Sequence, residues 1–103
     1  MTGKAPAPAP LTAAQLAAAR TALPEWKRTA TVLSRTFTFQ DFPAAIAFMA
    51  DCAPGIQERD HHPEWTNVYD RIDVRLNTHE AKGAVTARDV EIAKFLDWKF
   101  SQL

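Results

Sequence analysis

The three histidines of this 103-residue chain fall within one short stretch, where their type and spacing suggest chemistry. His61 and His62 are adjacent and precede Pro63, and His79 follows further along the same stretch. Histidine has an unperturbed pKa of about 6.5, so it can donate or accept a proton near neutral pH. A core of aliphatic and aromatic side chains does not require adjacent imidazoles. The cluster therefore indicates proton transfer.

The segment before the first two histidines is predicted to be a helix. Asp41 is a suitable N-cap, and Pro43 is tolerated in the first turn. The helix should end near Asp60, because the residue before Pro63 avoids the helical region. Pro54-Gly55 predicts a kink or a break, since an interior proline loses a hydrogen bond. The face that packs on a sheet is expected to be an apolar stripe at helical spacing, formed by Phe42, Ile46, Met49, Ala53 and Ile56.

The segments around the histidines are predicted to bring two imidazoles together. On extended backbone His61 and His62 point to opposite sides, so one can face a pocket while the other braces it. Residues 65–69 and 72–76 have the composition and alternation of two strands, with a tight turn at Asp70-Arg71. His79 lies just past the second strand. If that strand end packs beside the His61 loop, two imidazoles can flank one ligand.

The remaining segments complete an α+β pattern. Thr12 with Gln15 predicts a capping box for a first helix, and Thr86 with Asp89 predicts one for a last helix that runs to about residue 98. Residues 26–29 and 32–39 are predicted strands, and Arg35 falls on the apolar side, near the sheet edge or with its head group in water. The order is a helix followed by β-β-α twice. It predicts an antiparallel four-stranded sheet with helices packed on one face.

Composition limits the classes of function. Twelve basic and twelve acidic residues cancel, which leaves no electrostatic signature of nucleic-acid or membrane binding. The single cysteine, Cys52, excludes an internal disulfide and a cysteine-rich zinc site. Residues 1–10 alternate Ala and Pro after a polar start and are predicted to be a disordered tail, with one domain over residues 11–103. No stretch resembles a signal peptide or a membrane span, so we expect a cytoplasmic protein.

The spacing of the functional residues resembles the pterin-4a-carbinolamine dehydratase family. The pattern is His61-His62-Pro63, then Tyr69, His79 and Asp89. The similarity covers roughly residues 11–97 and includes further positions, among them Phe37-Thr38-Phe39, Asp41-Phe42, Ala47-Phe48-Met49, Glu64-Trp65, Asn67-Val68-Tyr69 and Thr78-His79-Glu80. The resemblance implies the same α+β fold and a homodimer or homotetramer. It also implies dehydration of 4a-hydroxytetrahydrobiopterin to quinonoid dihydropterin and water, with no metal or other cofactor. Such an enzyme recycles the pterin of aromatic amino acid hydroxylases.

The resemblance also assigns roles to residues. His61 and His79 are implied to be the catalytic acid and base, and His62 is implied to bind and orient the pterin at the same catalytic site. Asp89 would support the site or cap the last helix. Gln57 stands where the family usually has an acidic residue; it can still hydrogen-bond a pterin edge, and Glu58 could replace the charge only if the proline kink rotates it. Further residues implied to contact the pterin are Asp60, Pro63, Trp65 and Thr78.

Two alternatives remain open. A zinc site formed by the three histidines with Asp60 is disfavoured, because adjacent residues on extended backbone rarely aim at one ion. The second alternative is a non-catalytic interaction protein, since relatives in the family act as dimerisation partners of a homeodomain transcription factor or as carboxysome assembly factors. Retention of His61, His62 and His79 favours the enzyme, because a scaffold needs no titrating side chains.

Overall fold

The predicted order of helices and strands is confirmed. A computed structural model describes residues 8–103, so residues 1–7 of the expected Ala/Pro tail lie outside the described residues. Pro10, at its end, forms an isolated bridge with Thr86. The elements are helix α1 (Ala13–Ala22), strands β1 (Lys27–Arg28) and β2 (Leu33–Thr38), helix α2 (Phe42–Arg59), strands β3 (Glu64–Val68) and β4 (Arg71–Leu76), a 3-10 helix (His79–Ala81) and helix α3 (Ala87–Ser101).

The four strands form one antiparallel sheet in the order β1-β2-β4-β3. Its residues alternate between a buried face and a polar face, as period-two strands require. Phe37 of β2 lies opposite Ile72 of β4, and both are fully buried. Thr36 lies opposite Asp73 on the polar face and donates a hydrogen bond to it (2.7 Å). The fold class is therefore the predicted one, with the helices on the apolar face.

The predicted stripe of α2 is wrong at most positions. Phe42 and Ile46 are 47% and 41% exposed, and Ala53 is also exposed. The helix carries two apolar stripes at similar spacing, and the one that reaches the sheet is centred on Phe48, whose ring contacts the rings of Phe37, Phe39 and Phe100. Because aromatic side chains bury the largest areas, the stripe with Phe48 gains more from burial. The buried residues of α2 are Ala45, Phe48, Cys52 and Ile56.

Of the kink or break predicted at Pro54-Gly55, the break is wrong, because α2 continues to Arg59. Close packing against α3 explains how the helix is maintained. A Cβ at Gly55 would lie 2.2 Å from Cζ of Phe95, so only glycine allows the Phe95 ring to approach this turn. The Arg59 guanidinium lies 4.2 Å from the centroid of the same ring and donates a hydrogen bond to the Gly55 carbonyl (2.9 Å). These contacts offset the hydrogen bond that the proline removes.

Two smaller predictions need correction. The β3–β4 turn lies at Tyr69-Asp70, one residue earlier than predicted, with Tyr69 in the left-handed region (φ 52°). The last helix runs to Ser101 rather than residue 98. Arg35 follows the last residue of β2 that β1 pairs, so it lies near the sheet edge as predicted. Its guanidinium lies 4.3 Å from the Phe37 ring centroid and 2.6 Å from Asp97, so the ion pair covers the core. No helix within residues 8–103 is long and apolar enough to cross a bilayer.

Candidate active site

The end of α2 directs the first two histidines into the site. The last helical residue is Arg59, and Asp60 adopts the left-handed conformation (φ 51°) while its N–H donates to the Gln57 carbonyl (3.1 Å). Residues 61–63 then have no regular structure before β3 begins at Glu64. The predicted end of the helix is confirmed, and the change of direction turns His61 and His62 back past the last turn of α2.

His61 is held by a buried carboxylate. Its Nε2 lies 2.6 Å from Oδ1 of Asp89, and the His61 side chain is 10% exposed while that of Asp89 is fully buried. The second carboxylate oxygen, Oδ2, accepts hydrogen bonds from the Thr78 hydroxyl (2.8 Å) and the Thr86 N–H (2.9 Å). Because Thr78 gives its hydroxyl hydrogen to Asp89, its oxygen accepts from the Thr86 hydroxyl (2.7 Å). A buried carboxylate needs such a set of donors.

Asp89 links the helix cap to the histidine. It is the third residue of α3, and with Thr86 it forms the capping box that the sequence predicted. In a capping box the acidic side chain normally satisfies only the backbone N–H of the N-cap. Here Oδ2 makes the cap, and the other oxygen, Oδ1, contacts His61. The two roles proposed for Asp89 from sequence are therefore both compatible with its geometry.

His62 also makes its contact through Nε2, as His61 does, but with a different partner. Its Nε2 lies 2.9 Å from Oε1 of Gln57, in the last turn of α2, and both side chains are exposed. The two adjacent imidazoles therefore have different partners. One contacts a buried carboxylate of α3, and the other contacts a neutral amide of α2.

His79 lies in the loop after β4 rather than on the strand. It begins the short 3-10 helix, and Thr78 before it forms an isolated bridge with Ala84 that closes the loop. The Thr78 N–H donates to the Ala84 carbonyl (3.1 Å), and the Gly83 N–H donates to the Thr78 carbonyl (3.0 Å). Gly83 has φ of 81°, a conformation that glycine adopts without strain. The closed loop fixes the backbone position of His79.

All three histidines line one cavity of about 500 Å³. This volume lies in the range of small-molecule sites. The lining is polar: carboxylates come from the α2 end, β3 and the 3-10 helix, and one guanidinium comes from β4. The lining residues are Asp60, His61, His62, Glu64, Arg75, Asn77, His79 and Glu80.

Glu80 is a fixed negative charge of this lining near neutral pH. A hydrogen bond from its own backbone N–H lowers the pKa of Glu80 below the ordinary value of 4.5, and the Arg88 guanidinium at 3.3 Å lowers it further. Its side chain is solvent-exposed, so water screens its ion pair with Arg88. Its role is to add negative potential beside His79.

Several residues implied by the family resemblance do not line the cavity. Thr78 is fully buried in the Asp89 network, and Pro63 and Trp65 are half-buried, with Trp65 packed against the core. Gln57 reaches the site through His62, and Glu58 stays on the exposed side of α2. The uninterrupted helix therefore does not rotate Glu58 into the site.

Sequence reasoning missed four lining residues: Glu64, Arg75, Asn77 and Glu80. Glu64 and Arg75 are directly opposed in the β3–β4 register, and their side chains approach to 3.6 Å. Opposite charges on facing strands could have signalled this pair once the register was known. Glu80 gave no signal apart from its position next to His79.

The arrangement provides acid–base groups without a recognisable metal cluster. Within residues 8–103, no group of three or more His, Cys, Asp or Glu side chains is placed to hold a metal ion. The zinc alternative therefore receives no support from the described residues. Two imidazoles, one backed by Asp89 and one in the loop after β4, face the same space. Such a pair can give a proton to one atom of a ligand and remove a proton from another.

Comparisons with known proteins agree on one family. A family model described as Pterin 4 alpha carbinolamine dehydratase matches residues 9–98. A protein of Rhizorhabdus wittichii named "Putative pterin-4-alpha-carbinolamine dehydratase" is 46% identical over 90 residues, covering 85% of this chain and 92% of that protein. A protein of Paraburkholderia xenovorans with the same name is 52% identical over 65 residues, covering 63% of this chain and 67% of that protein.

A solved structure is similar over most of the chain. It is named a transcriptional coactivator/pterin dehydratase and comes from Brucella melitensis. It matches with a TM-score of 0.79 at 37% sequence identity, covering 87% of this chain and 97% of that chain.

Proposed function

Because the chain belongs to the pterin-4a-carbinolamine dehydratase family, we propose that it dehydrates 4a-hydroxytetrahydrobiopterin. The product would be quinonoid dihydropterin, and the enzyme would recycle the cofactor of an aromatic amino acid hydroxylase. The observation that carries the proposal is the convergence of His61, His62 and His79 on one cavity, with Asp89 behind His61. This geometry supports proton transfer at two atoms of one bound ligand.

In the proposed reaction one imidazole acts as the acid and another as the base. The acid protonates the 4a-hydroxyl, the carbon–oxygen bond breaks, and water leaves. The base removes the proton from the adjacent ring nitrogen, and the freed electron pair forms the carbon–nitrogen double bond. His61 is suited to the base role, because the Asp89 carboxylate orients its ring and compensates the positive charge that forms. His79 then serves as the acid, and His62 binds the pterin.

The test measures the rate at which purified protein accelerates breakdown of 4a-hydroxytetrahydropterin. His79→Ala should lower that rate by about 100-fold or more, since a positioned acid or base typically contributes 10²–10⁴-fold. Glu58→Gln is the matched control, because Glu58 is exposed and does not line the cavity. It should leave the rate unchanged. A folded wild-type protein that gives no acceleration over buffer would overturn the enzymatic function.

Self-association is proposed as part of this function, as a homodimer or homotetramer. Two features support it. Strand β1 pairs only with Ser34 and Leu33, so residues 35–38 of β2 have no strand neighbour on that side among the described residues. Phe42 and Ile46 also present an apolar surface on α2. Analytical ultracentrifugation at several concentrations would test it, and a monomer at all of them would contradict it.

A second candidate function is protein binding. The Brucella melitensis structure is named for a coactivator as well as a dehydratase, and the apolar surface of Phe42 and Ile46 could serve such a contact. This candidate becomes the better one only if the wild-type protein fails in the dehydration assay.

A further inference from the structure

The hydrogen bond between Gln57 and His62 determines which ring nitrogen of His62 is free. We propose that Gln57 holds the proton of neutral His62 on Nε2, so that His62 offers Nδ1 to the substrate as a hydrogen-bond acceptor. The inference rests on the proposed function for its catalytic consequence, but the assignment of the proton is independent of it. Gln57 is then a positioning residue, which acts through His62.

The proton assignment follows from the atoms in contact. Oε1 of Gln57 lies 2.9 Å from Nε2 of His62. An amide oxygen can only accept, so the hydrogen of this bond belongs to Nε2. A neutral imidazole carries one N–H, and its other nitrogen therefore has a lone pair. That nitrogen is Nδ1, which has no side-chain partner within residues 8–103.

The backbone around Gln57 keeps the amide in place. The backbone carbonyl of Gln57 accepts a hydrogen bond from the N–H of Asp60 at the helix C-cap (3.1 Å), so Gln57 lies in the last ordered turn of α2. Asp60 then turns the chain through its left-handed conformation, which brings His62 back toward residue 57. The contact spans five residues, so it closes only a short loop.

The comparison with His61 shows what the neutral amide changes. His61 uses the same ring nitrogen, but its partner is the Asp89 carboxylate, so a proton taken up by His61 is balanced there. The partner of His62 has no charge. The charged and titratable groups that face His62 in the cavity are Asp60, Glu64 and Glu80, with Arg75, His61 and His79. Only the carboxylates among them would favour a charged His62, and none is hydrogen-bonded to it among the described residues.

A neutral His62 with Nδ1 free is suited to binding rather than proton transfer. An acceptor nitrogen at the cavity wall matches the N–H groups on the edge of a pterin ring. Loss of the correct tautomer should therefore weaken substrate binding more than the chemical step. One misdirected hydrogen bond corresponds to roughly a fivefold to tenfold change in affinity.

The experiment compares Gln57→Leu and Gln57→Glu with the wild-type protein. In protein labelled with ¹⁵N-histidine, at a pH where the imidazole is neutral, NMR distinguishes N–H from bare ring nitrogens, and His62→Ala assigns the signals. The wild type should show the hydrogen on Nε2. Gln57→Glu keeps an acceptor at the same place and should keep this tautomer. Gln57→Leu has nearly the same size and no acceptor, so both tautomers should appear.

Kinetics of the same proteins complete the test. Gln57→Leu should raise KM about fivefold to tenfold while kcat stays within about threefold. A hydrogen on Nδ1 in the wild type, or an unchanged tautomer in Gln57→Leu, would overturn the proposal. If the wild type shows no dehydratase activity, the proposed function fails, but the NMR result still decides whether Gln57 sets the tautomer.

Discussion

At Asp89, one carboxylate oxygen contacts His61 and the other caps helix α3. The two contacts make different demands on the side chain. The cap needs an acceptor, which an asparagine oxygen also supplies. The histidine needs an acceptor as well, so that its hydrogen stays on Nε2. A single amide cannot meet both demands, because only one of its two terminal atoms accepts.

Asp89→Asn should therefore separate the two roles. With its oxygen directed to the Thr86 N–H, the amide turns its NH₂ group toward His61 and requires that nitrogen to accept, which inverts the tautomer. We expect kcat to fall by about 100-fold or more, in line with the loss of one positioned proton-transfer group. Stopped-flow measurement of carbinolamine breakdown would detect this fall. Retention of wild-type kcat would show that His61 does not depend on the carboxylate.

Thr78→Val is the control for disruption of the buried network. The substitution removes the hydroxyl that donates to Asp89 but leaves the contact between Asp89 and His61. Loss of this buried hydrogen bond should lower the free energy of unfolding by about 1–3 kcal/mol. Turnover should stay within a few-fold, because the Thr78 side chain does not line the cavity. If Thr78→Val loses as much activity as Asp89→Asn, general disruption of the network explains both.

Individual residues of the site were predictable from sequence only in part. The histidines could be identified because their residue type and clustering are unusual. The buried position of Thr78 and the contact of Gln57 with His62 could not. Both depend on side-chain directions that arise after the C-cap of α2 and the loop after β4 have folded.

Among the helices and strands, local signals were more reliable than the choice of buried face. The capping boxes at Thr12 and Thr86 were predictable because all their atoms lie within four residues. The buried stripe of α2 was not, because two stripes satisfy the helical period and only contact with the sheet distinguishes them. Pro54 suggested a break because sequence alone does not show Phe95 packing on Gly55.

Gly55→Ala tests that packing. The added methyl group would lie 2.2 Å from Cζ of Phe95, so the ring or α3 must move. Overpacking of this kind typically costs about 1–3 kcal/mol, which exceeds the gain of about 1 kcal/mol that alanine has over glycine in a helix. Urea unfolding should therefore show a destabilised protein. Phe95→Ala is the partner in a double-mutant cycle, and in its background Gly55→Ala should become neutral or stabilising.

Pro54→Ala, at the neighbouring position, should raise the free energy of unfolding rather than lower it. Pro54 is exposed, and alanine would restore the backbone N–H that the helix lacks. We expect an increase of about 2 kcal/mol in the free energy of unfolding, somewhat less than the full propensity difference because proline also restricts the unfolded chain. A decrease in the free energy of unfolding would mean that the packing of α2 depends on the proline.

For the molecule as a whole, the α+β class and the order of elements were predictable from period-two and period-3.6 patterns along the chain. Those patterns act within each element and together leave few ways to cover one apolar sheet face. The cavity was less predictable, because it forms where the α2 end, the loop after β4 and the β3–β4 pair meet. The β3–β4 pairing brings these segments together, since Glu64 at the start of β3 lies opposite Arg75 near the end of β4.

The core beneath these elements contains Cys52, which gives the whole domain a pH-dependent stability. Cys52 is fully buried on α2, and this burial raises the pKa of its thiol from 9.0 to about 11, with Lys99 lowering it and Asp51 raising it. The folded state therefore holds the thiol proton more tightly than the unfolded chain. The stabilisation is fully present below pH 9 and is lost as pH rises toward 11, because the unfolded thiol ionises first.

Urea unfolding of the wild type and Cys52→Ala between pH 8 and pH 11, under reducing conditions, measures this effect. The wild type should lose on the order of 2–3 kcal/mol more stability than the variant over that range, because a pKa difference of one corresponds to about 1.4 kcal/mol. The ionisable groups other than Cys52 are present in both proteins, so the difference between the two profiles reports on the thiol. Parallel pH profiles would show that the thiol ionises as easily in the folded core as in water, which requires the core around Cys52 to admit solvent.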